Sequence, residues 1–319
     1  MKTIKAISAI FLLVATFTAC KKDSQPGPDP TAPTIDNIEV GLNNNEMGVI
    51  GRDFHLNLDI IAGDKIEKVE IKIQQISGES YEKDWSFEIS WEDFKGAKNA
   101  TVHKHFDIPA AAIEGKYDFL IIVHDQNGTK LEEKRKITIY NESNLPIDPK
   151  LEEFSVSARS ATNRVLYILT RGGYRDPVTL EYGNYPVRIG KGEVLSAAAT
   201  ISGTKGDGQI YILLINKKHH HRPESVQAID FSKAIVIDVF SHEDLVNTQR
   251  WSHINFERTG FPEISRLLIG GPADNNSPVP GAIDGLKAWE SGKYYIGMIY
   301  NNTTYNMSMF HYIETAVEL

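Results

Sequence analysis

Phe54-His55-Leu56-Asn57-Leu58-Asp59-Ile60 alternates without a break. In an extended chain Phe54, Leu56, Leu58 and Ile60 fall on one face, while His55, Asn57 and Asp59 fall on the other. Period two marks a strand with one side in a core and the other toward water. The pattern recurs along the chain. Val69, Ile71 and Ile73 alternate with Lys68, Glu70, Lys72 and Gln74, and Trp85, Phe87, Ile89 and Trp91 alternate with Ser86, Glu88 and Ser90. Tyr117, Phe119, Ile121 and Val123 lead to the turn sequence Asp125-Gln126-Asn127-Gly128.

Runs near residues 35–41, 101–106 and 134–140 complete a set of seven short strands within residues 34–142. That number in that length predicts an immunoglobulin-like β-sandwich.

Several motifs of this region resemble a known family. Gly51-Arg52-Asp53-Phe54-His55, Trp85-Ser86-Phe87, His103-Lys104-His105-Phe106-Asp107-Ile108-Pro109, Glu114-Gly115-Lys116-Tyr117 and His124-Asp125-Gln126-Asn127-Gly128 stand in the order of the unknown-function family 4625 of Bacteroidota lipoproteins. The resemblance implies a polycystic-kidney-disease-type sandwich at the outer membrane. It also implies a setting beside starch-utilisation-system-like importers, with a TonB-dependent barrel and its lid lipoprotein as partners and glycan as the favoured cargo.

The leading segment agrees with export. Lys2 and Lys5 precede an apolar run from Ala6 to Phe17, and Thr18-Ala19-Cys20 closes it with small residues and the single cysteine of the chain. This is a signal-peptide order, too short to span a bilayer. Phe17-Thr18-Ala19-Cys20 is similar to a bacterial lipobox with Phe in place of the usual Leu. By that resemblance residues 1–19 are removed and Cys20 carries the lipid. Residues 20–33 hold Pro26, Pro28, Pro30 and Pro33, which rule out a helix and predict an extended tether reaching about 40 Å.

Asn141 to Lys150, with Pro146 and Pro149, reads as a linker to a larger β-rich domain over residues 150–319. Its strand candidates are Phe154–Ala158, Val165–Thr170, Ile210–Ile215, Ala234–Phe240, Arg266–Ile269, Tyr294–Tyr300 and Met307–Ile313. Two short helices are expected. One starts at Ser241, where Ser241-His242-Glu243-Asp244 has the form of a capping box, and the other runs from Ala282 to Trp289. Gly292-Lys293-Tyr294 echoes Gly115-Lys116-Tyr117 at the opening of a late strand. The predicted class is therefore mainly β, an immunoglobulin-like sandwich followed by a second β-rich domain with two short helices.

The chain has 319 residues, 42 acidic against 34 basic side chains and a formal charge of −8. Loss of Lys2 and Lys5 with the leader makes the rest more acidic still, which argues against nucleic acid and against a basic lipid-binding patch. One cysteine excludes an intrachain disulfide, so stability must come from packing.

Candidate chemistry is sparse. His103 and His105, two apart on a strand, face the same side and can chelate zinc or copper, but the sequence places no third ligand beside them. Lys217-Lys218-His219-His220-His221-Arg222-Pro223 reads as a solvated loop, because neighbouring residues of an extended chain point apart. Trp85 and Trp91 share an apolar strand face and read as core. Trp251 and Trp289 are the candidate glycan contacts, since an indole offers a flat surface to a sugar ring.

No Gly-x-Ser-x-Gly elbow, His-Glu-x-x-His helix or phosphate loop is present, and no cofactor is implied. The expectation is a non-enzymatic lipid-anchored protein of the outer membrane, facing the cell surface, that serves as a glycan-binding or accessory subunit of a nutrient importer. The alternatives are a structural lipoprotein that binds protein partners, a metal- or haem-handling lipoprotein, and a glycosidase, whose two carboxylates leave no sequence pattern.

Overall fold

The computed structural model describes residues 30–252 and 266–319. The leader, Cys20 and most of the tether lie outside the described residues.

The first domain contains β1 (Thr34–Val40), β2 (Met47–Val49), β3 (Asp53–Ile61), β4 (Ile66–Gln75), β5 (Ser86–Trp91), β6 (Asn99–Asp107), β7 (Gly115–Asp125) and β8 (Lys130–Tyr140). They form two sheets, one ordered β1-β3-β6 and the other β2-β8-β7-β4-β5. The alternation decides which side chains meet. Phe54, Leu56, Leu58 and Ile60 from the small sheet pack on Val69, Ile71, Ile73, Phe119 and Ile121 from the large one, all but shielded from solvent. Phe54 and Phe119 meet across the sandwich as tilted rings 5.6 Å apart between centres. Trp85, Phe87 and Trp91 lie half-buried against this core.

The second domain contains β9 (Lys150–Arg159), β10 (Asn163–Ile168), β11 (Gly173–Arg175), β12 (Tyr182–Gly183), β13 (Arg188–Gly190), β14 (Val194–Asn216), β15 (Ala234–Ser252), β16 (Leu267–Leu268), β17 (Gly292–Asn302) and β18 (Met307–Glu318). One curled sheet runs β12-β11-β10-β9-β14-β17-β18-β13, with β15 and β16 also paired to β14. Long β14 serves two partners on one side, β9 through its first half and β17 through its second. The run Ile210-Tyr211-Ile212-Leu213-Leu214-Ile215 is apolar throughout because both of its faces are covered. Ile210, Ile212 and Leu214 enter the main core. Tyr211, Leu213 and Ile215 face a smaller cluster with Ile229, Val236 and Ile299. Val226 and Ile229 bring the connection between β14 and β15 down onto that second face.

Neither expected helix forms. Ser241 and His242 belong to β15, paired with Gln209 and Gly208. There His242 is buried, with its Nδ1 2.9 Å from the Gly206 carbonyl and its Nε2 3.0 Å from the Tyr300 hydroxyl. A local cap stabilises by about 1 kcal/mol, less than the strand ladder and this burial combined. Between Ala282 and Trp289 there is a single 3-10 turn, Gly285–Lys287. Gly285 stands at φ +56 and disfavours a continuous helix, and Lys287 reaches back 2.7 Å to the buried Asp274 carboxylate.

The echo between the domains has a structural counterpart. The buried Tyr117 hydroxyl donates to the Ile113 carbonyl at 2.7 Å, and the buried Tyr294 hydroxyl donates to the Glu290 carbonyl at 2.9 Å. Each ties the entry of a late strand to the chain four residues upstream, the arrangement of a tyrosine corner.

Candidate metal centre

The outer face of the small sheet looks toward the second domain. Alternation puts His55 on that face of β3, and the antiparallel register sets His55 opposite His105 and Asn57 opposite His103 on β6. All three histidines therefore share one surface, with Glu39 of neighbouring β1 at its edge.

The fourth group comes from the β14–β15 connection. After the 3-10 turn Lys217–His219, the chain bends at His220, φ +49, and runs through Arg222 and Pro223 to Glu224, which is 7 % exposed. Several contacts hold this segment down. The Arg222 guanidinium stacks 4.8 Å from the Tyr312 ring centre and 5.9 Å from those of Tyr295 and Phe310. Tyr312 donates its hydroxyl hydrogen to the Pro223 carbonyl, and His221 Nε2 accepts from the Asp230 amide at 3.0 Å. Glu224 is thereby aimed at the histidine face.

Four ligand atoms converge there: His55 Nδ1, His103 Nε2, His105 Nε2 and Glu224 Oε2. His105 Nε2 lies 2.9 Å from Glu224 Oε2, 3.3 Å from His103 Nε2 and 3.4 Å from His55 Nδ1. Glu224 Oε2 is 3.4 Å from His55 Nδ1 and 3.5 Å from His103 Nε2. The remaining pair, His55 and His103, is within 4.8 Å. A tetrahedral ion with bonds of about 2.0–2.1 Å separates its ligands by about 3.3 Å along every edge. A square-planar ion would set two opposite pairs about 4 Å apart. Five of the six separations, 2.9 to 3.5 Å, are near the tetrahedral edge, and a square-planar set would need two long ones.

Outer partners complete the arrangement. Asp53 Oδ2 sits 2.6 Å from His105 Nδ1, so that nitrogen donates outward and leaves the Nε2 lone pair for the centre. Glu39 Oε2 stands 3.5 Å from His55 Nε2, an ion-pair contact that leaves this buried nitrogen without a hydrogen bond. A carboxylate behind a ligating imidazole orients the ring and strengthens it as a ligand. Burial opposes a charge on His55, but Glu224 and Glu39 outweigh it and push its pKa up to about 9. Burial likewise raises Glu224, and the hydrogen bonds and charges of the surrounding histidines more than offset this, leaving its carboxyl well below the usual range. A metal ion entering the cluster would have to displace the proton that these carboxylates favour on His55.

His103 and His105 thus come together as the sequence suggests. His55 was legible only as a residue on the polar side of its strand, and nothing local pointed to Glu224 beyond its place after the histidine run. In that run His221 is a neutral acceptor whose pKa burial lowers. His220 and His221 line a cavity of about 240 Å³ with His55, His103 and Glu224, and the segment is packed rather than freely solvated. Trp251 and Trp289 lie apart, both half-buried against the second core. Trp251 packs on Phe240 and His242, and the Trp289 indole donates to the Gly271 carbonyl at 2.7 Å. His253, beside Trp251 in sequence, lies outside the described residues.

The protein is thus a two-domain β protein with a histidine-carboxylate cluster between its domains. Residues 18–140 match the family model of a domain of unknown function, DUF4625. No curated protein matches the chain. Among solved structures it is similar to dimeric latent PorU from Porphyromonas gingivalis, at 9 % identity and a TM-score of 0.29, over 92 % of this chain and 21 % of that one. It is also similar to a carbohydrate-binding module of the β-sandwich superfamily, at 12 % identity and a TM-score of 0.23, over 75 % of this chain and 90 % of that one. The chain spans about a fifth of the length of PorU.

Proposed function

We propose that this is a non-enzymatic, acyl-anchored envelope protein whose working part is a zinc site between two β domains. One observation carries the reading: His55, His103, His105 and Glu224 present four ligand atoms within 4.8 Å of one another, with five of the six separations between 2.9 and 3.5 Å. Three imidazoles and one carboxylate suit Zn²⁺, and four protein ligands leave no position for a reactive water. That closed set favours a binding role over hydrolysis. In this reading the first domain is an immunoglobulin-like sandwich of the polycystic-kidney-disease type. Cys20 carries the lipid, the protein faces outward from the outer membrane, and the neighbouring machinery is a TonB-dependent importer with its lid lipoprotein. The metal-handling role replaces glycan capture as the leading function, because Trp251 and Trp289 are packed against the second core.

The test is metal analysis of full-length protein purified without a histidine tag and dialysed against zinc. One zinc per chain is expected, with none retained by the double variant His103→Ala/His105→Ala. A wild-type protein that comes through dialysis metal-free overturns the reading.

A further inference from the structure

The ligand set is divided unevenly. His55, His103 and His105 stand on one rigid sheet of the first domain, and Glu224 alone comes from the second. Among the described residues the apolar clusters do not bridge the two bodies: one is confined to the first domain and two to the second. What joins them around the cluster is polar. Asn43, in the 3-10 turn after β1, donates to the Asn306 side chain at 2.5 Å and accepts from it through its backbone carbonyl at 3.3 Å. At the linker Arg52 forks onto Asp148 and also meets Glu142. Polar interfaces between domains of one chain permit relative motion unless a stronger contact holds them.

We propose that the metal ion is that contact, a clasp that closes the second domain onto the outer face of the small sheet. The inference rests on the zinc reading above and adds to it a consequence for domain arrangement. Glu224 needs no great intrinsic affinity for a metal held by three histidines, because the short linker between β8 and β9 presents it at an effective concentration on the order of millimolar. Metal coordination also supplies a directional bond where the interface has no shared core. With the ion removed, Glu224 keeps its hydrogen bond to His105 and its ion pairs to His55 and His103, and among the described residues these join the polar contacts named above in place of the coordination bonds. The metal-free chain therefore samples open arrangements.

The experiment measures the distance between nitroxide labels at Lys130→Cys and Val178→Cys in the full chain carrying Cys20→Ser. Both positions are exposed, one in each domain. After chelation the distance distribution should be broad, and one equivalent of zinc should narrow it to a single peak. Glu224→Ala should still take up zinc through the three histidines yet keep the broad distribution. Stoichiometric zinc uptake with an unchanged wild-type distribution overturns the clasp and leaves the metal site standing. A Glu224→Ala protein that narrows like wild type also overturns the clasp, and a chain that takes up no zinc overturns both proposals.

Discussion

His105 Nε2 and Glu224 Oε2 meet at 2.9 Å, although 119 positions separate them and they belong to different domains. The meeting is prepared from both sides. Asp53 holds the outer nitrogen of the His105 ring, while Tyr312 and the stacked Arg222 hold the segment that bears Glu224.

The Asp53 contact predicts that Asp53→Asn weakens zinc binding about 10- to 100-fold without removing a ligand, because the imidazole loses its orienting carboxylate. Competition against a chromophoric chelator gives the affinity. An unchanged value would mean that the Asp53–His105 pair is incidental.

Gly297 on β17 lies opposite Tyr312 on β18, and a Cβ at that position would come within 2.2 Å of the Tyr312 ring. Gly297→Ala should therefore push the ring away, cost about 1–3 kcal/mol of stability by overpacking, and loosen the anchor on Pro223. Urea unfolding and zinc competition should both register the change. Stability lost without any fall in zinc affinity would show that the Glu224 segment does not depend on Tyr312.

At the linker, the Arg52 fork holds the Asp148 carboxyl down at about 2. A depressed carboxylate stabilises the fold above its unfolded value of about 3.9, and that contribution disappears as pH falls toward 2. Arg52 is about a third exposed, so solvent screening limits the effect to roughly 1 kcal/mol. Arg52→Gln should be less stable than wild type at pH 6, and the gap should shrink between pH 4 and pH 2. Urea titrations at these pH values measure it, and a gap that stays constant with pH refutes the assignment.

Tyr117→Phe and Tyr294→Phe each remove one buried donor and leave a carbonyl without its partner, at a cost of about 1–2 kcal/mol. The two sites lie in separate cores, so their effects should add in the double variant. Losses below about 0.3 kcal/mol would deny the tyrosine corners a stabilising part.

Much of the strand framework was readable residue by residue. In the first domain Phe54 to Ile60, Val69 to Ile73 and Tyr117 to Val123 each carry a period-two pattern that burial then follows. The second domain was harder because β14 and β17 are covered on both faces, which turns alternation into unbroken apolar runs. The Ser241 segment misled for a related reason: its polar side chains imitate a helix cap, while His242 is in fact drawn inward by Tyr300.

The candidate site divides along the same line. His103 and His105 share a face by spacing alone, which any extended strand guarantees. That His55 sits opposite His105 depends on strand register, a relation between residues fifty positions apart. That Glu224 completes the set depends on how one domain lies against another. Side-chain alternation is a local property and is written in neighbouring residues, whereas the distance between strands and between domains is set by the packing of cores far from the ligands. The amino-acid order alone therefore determined the β class, the main strands of the first domain and half of the candidate ligand set, and the tertiary structure decided that the set converges on a single point.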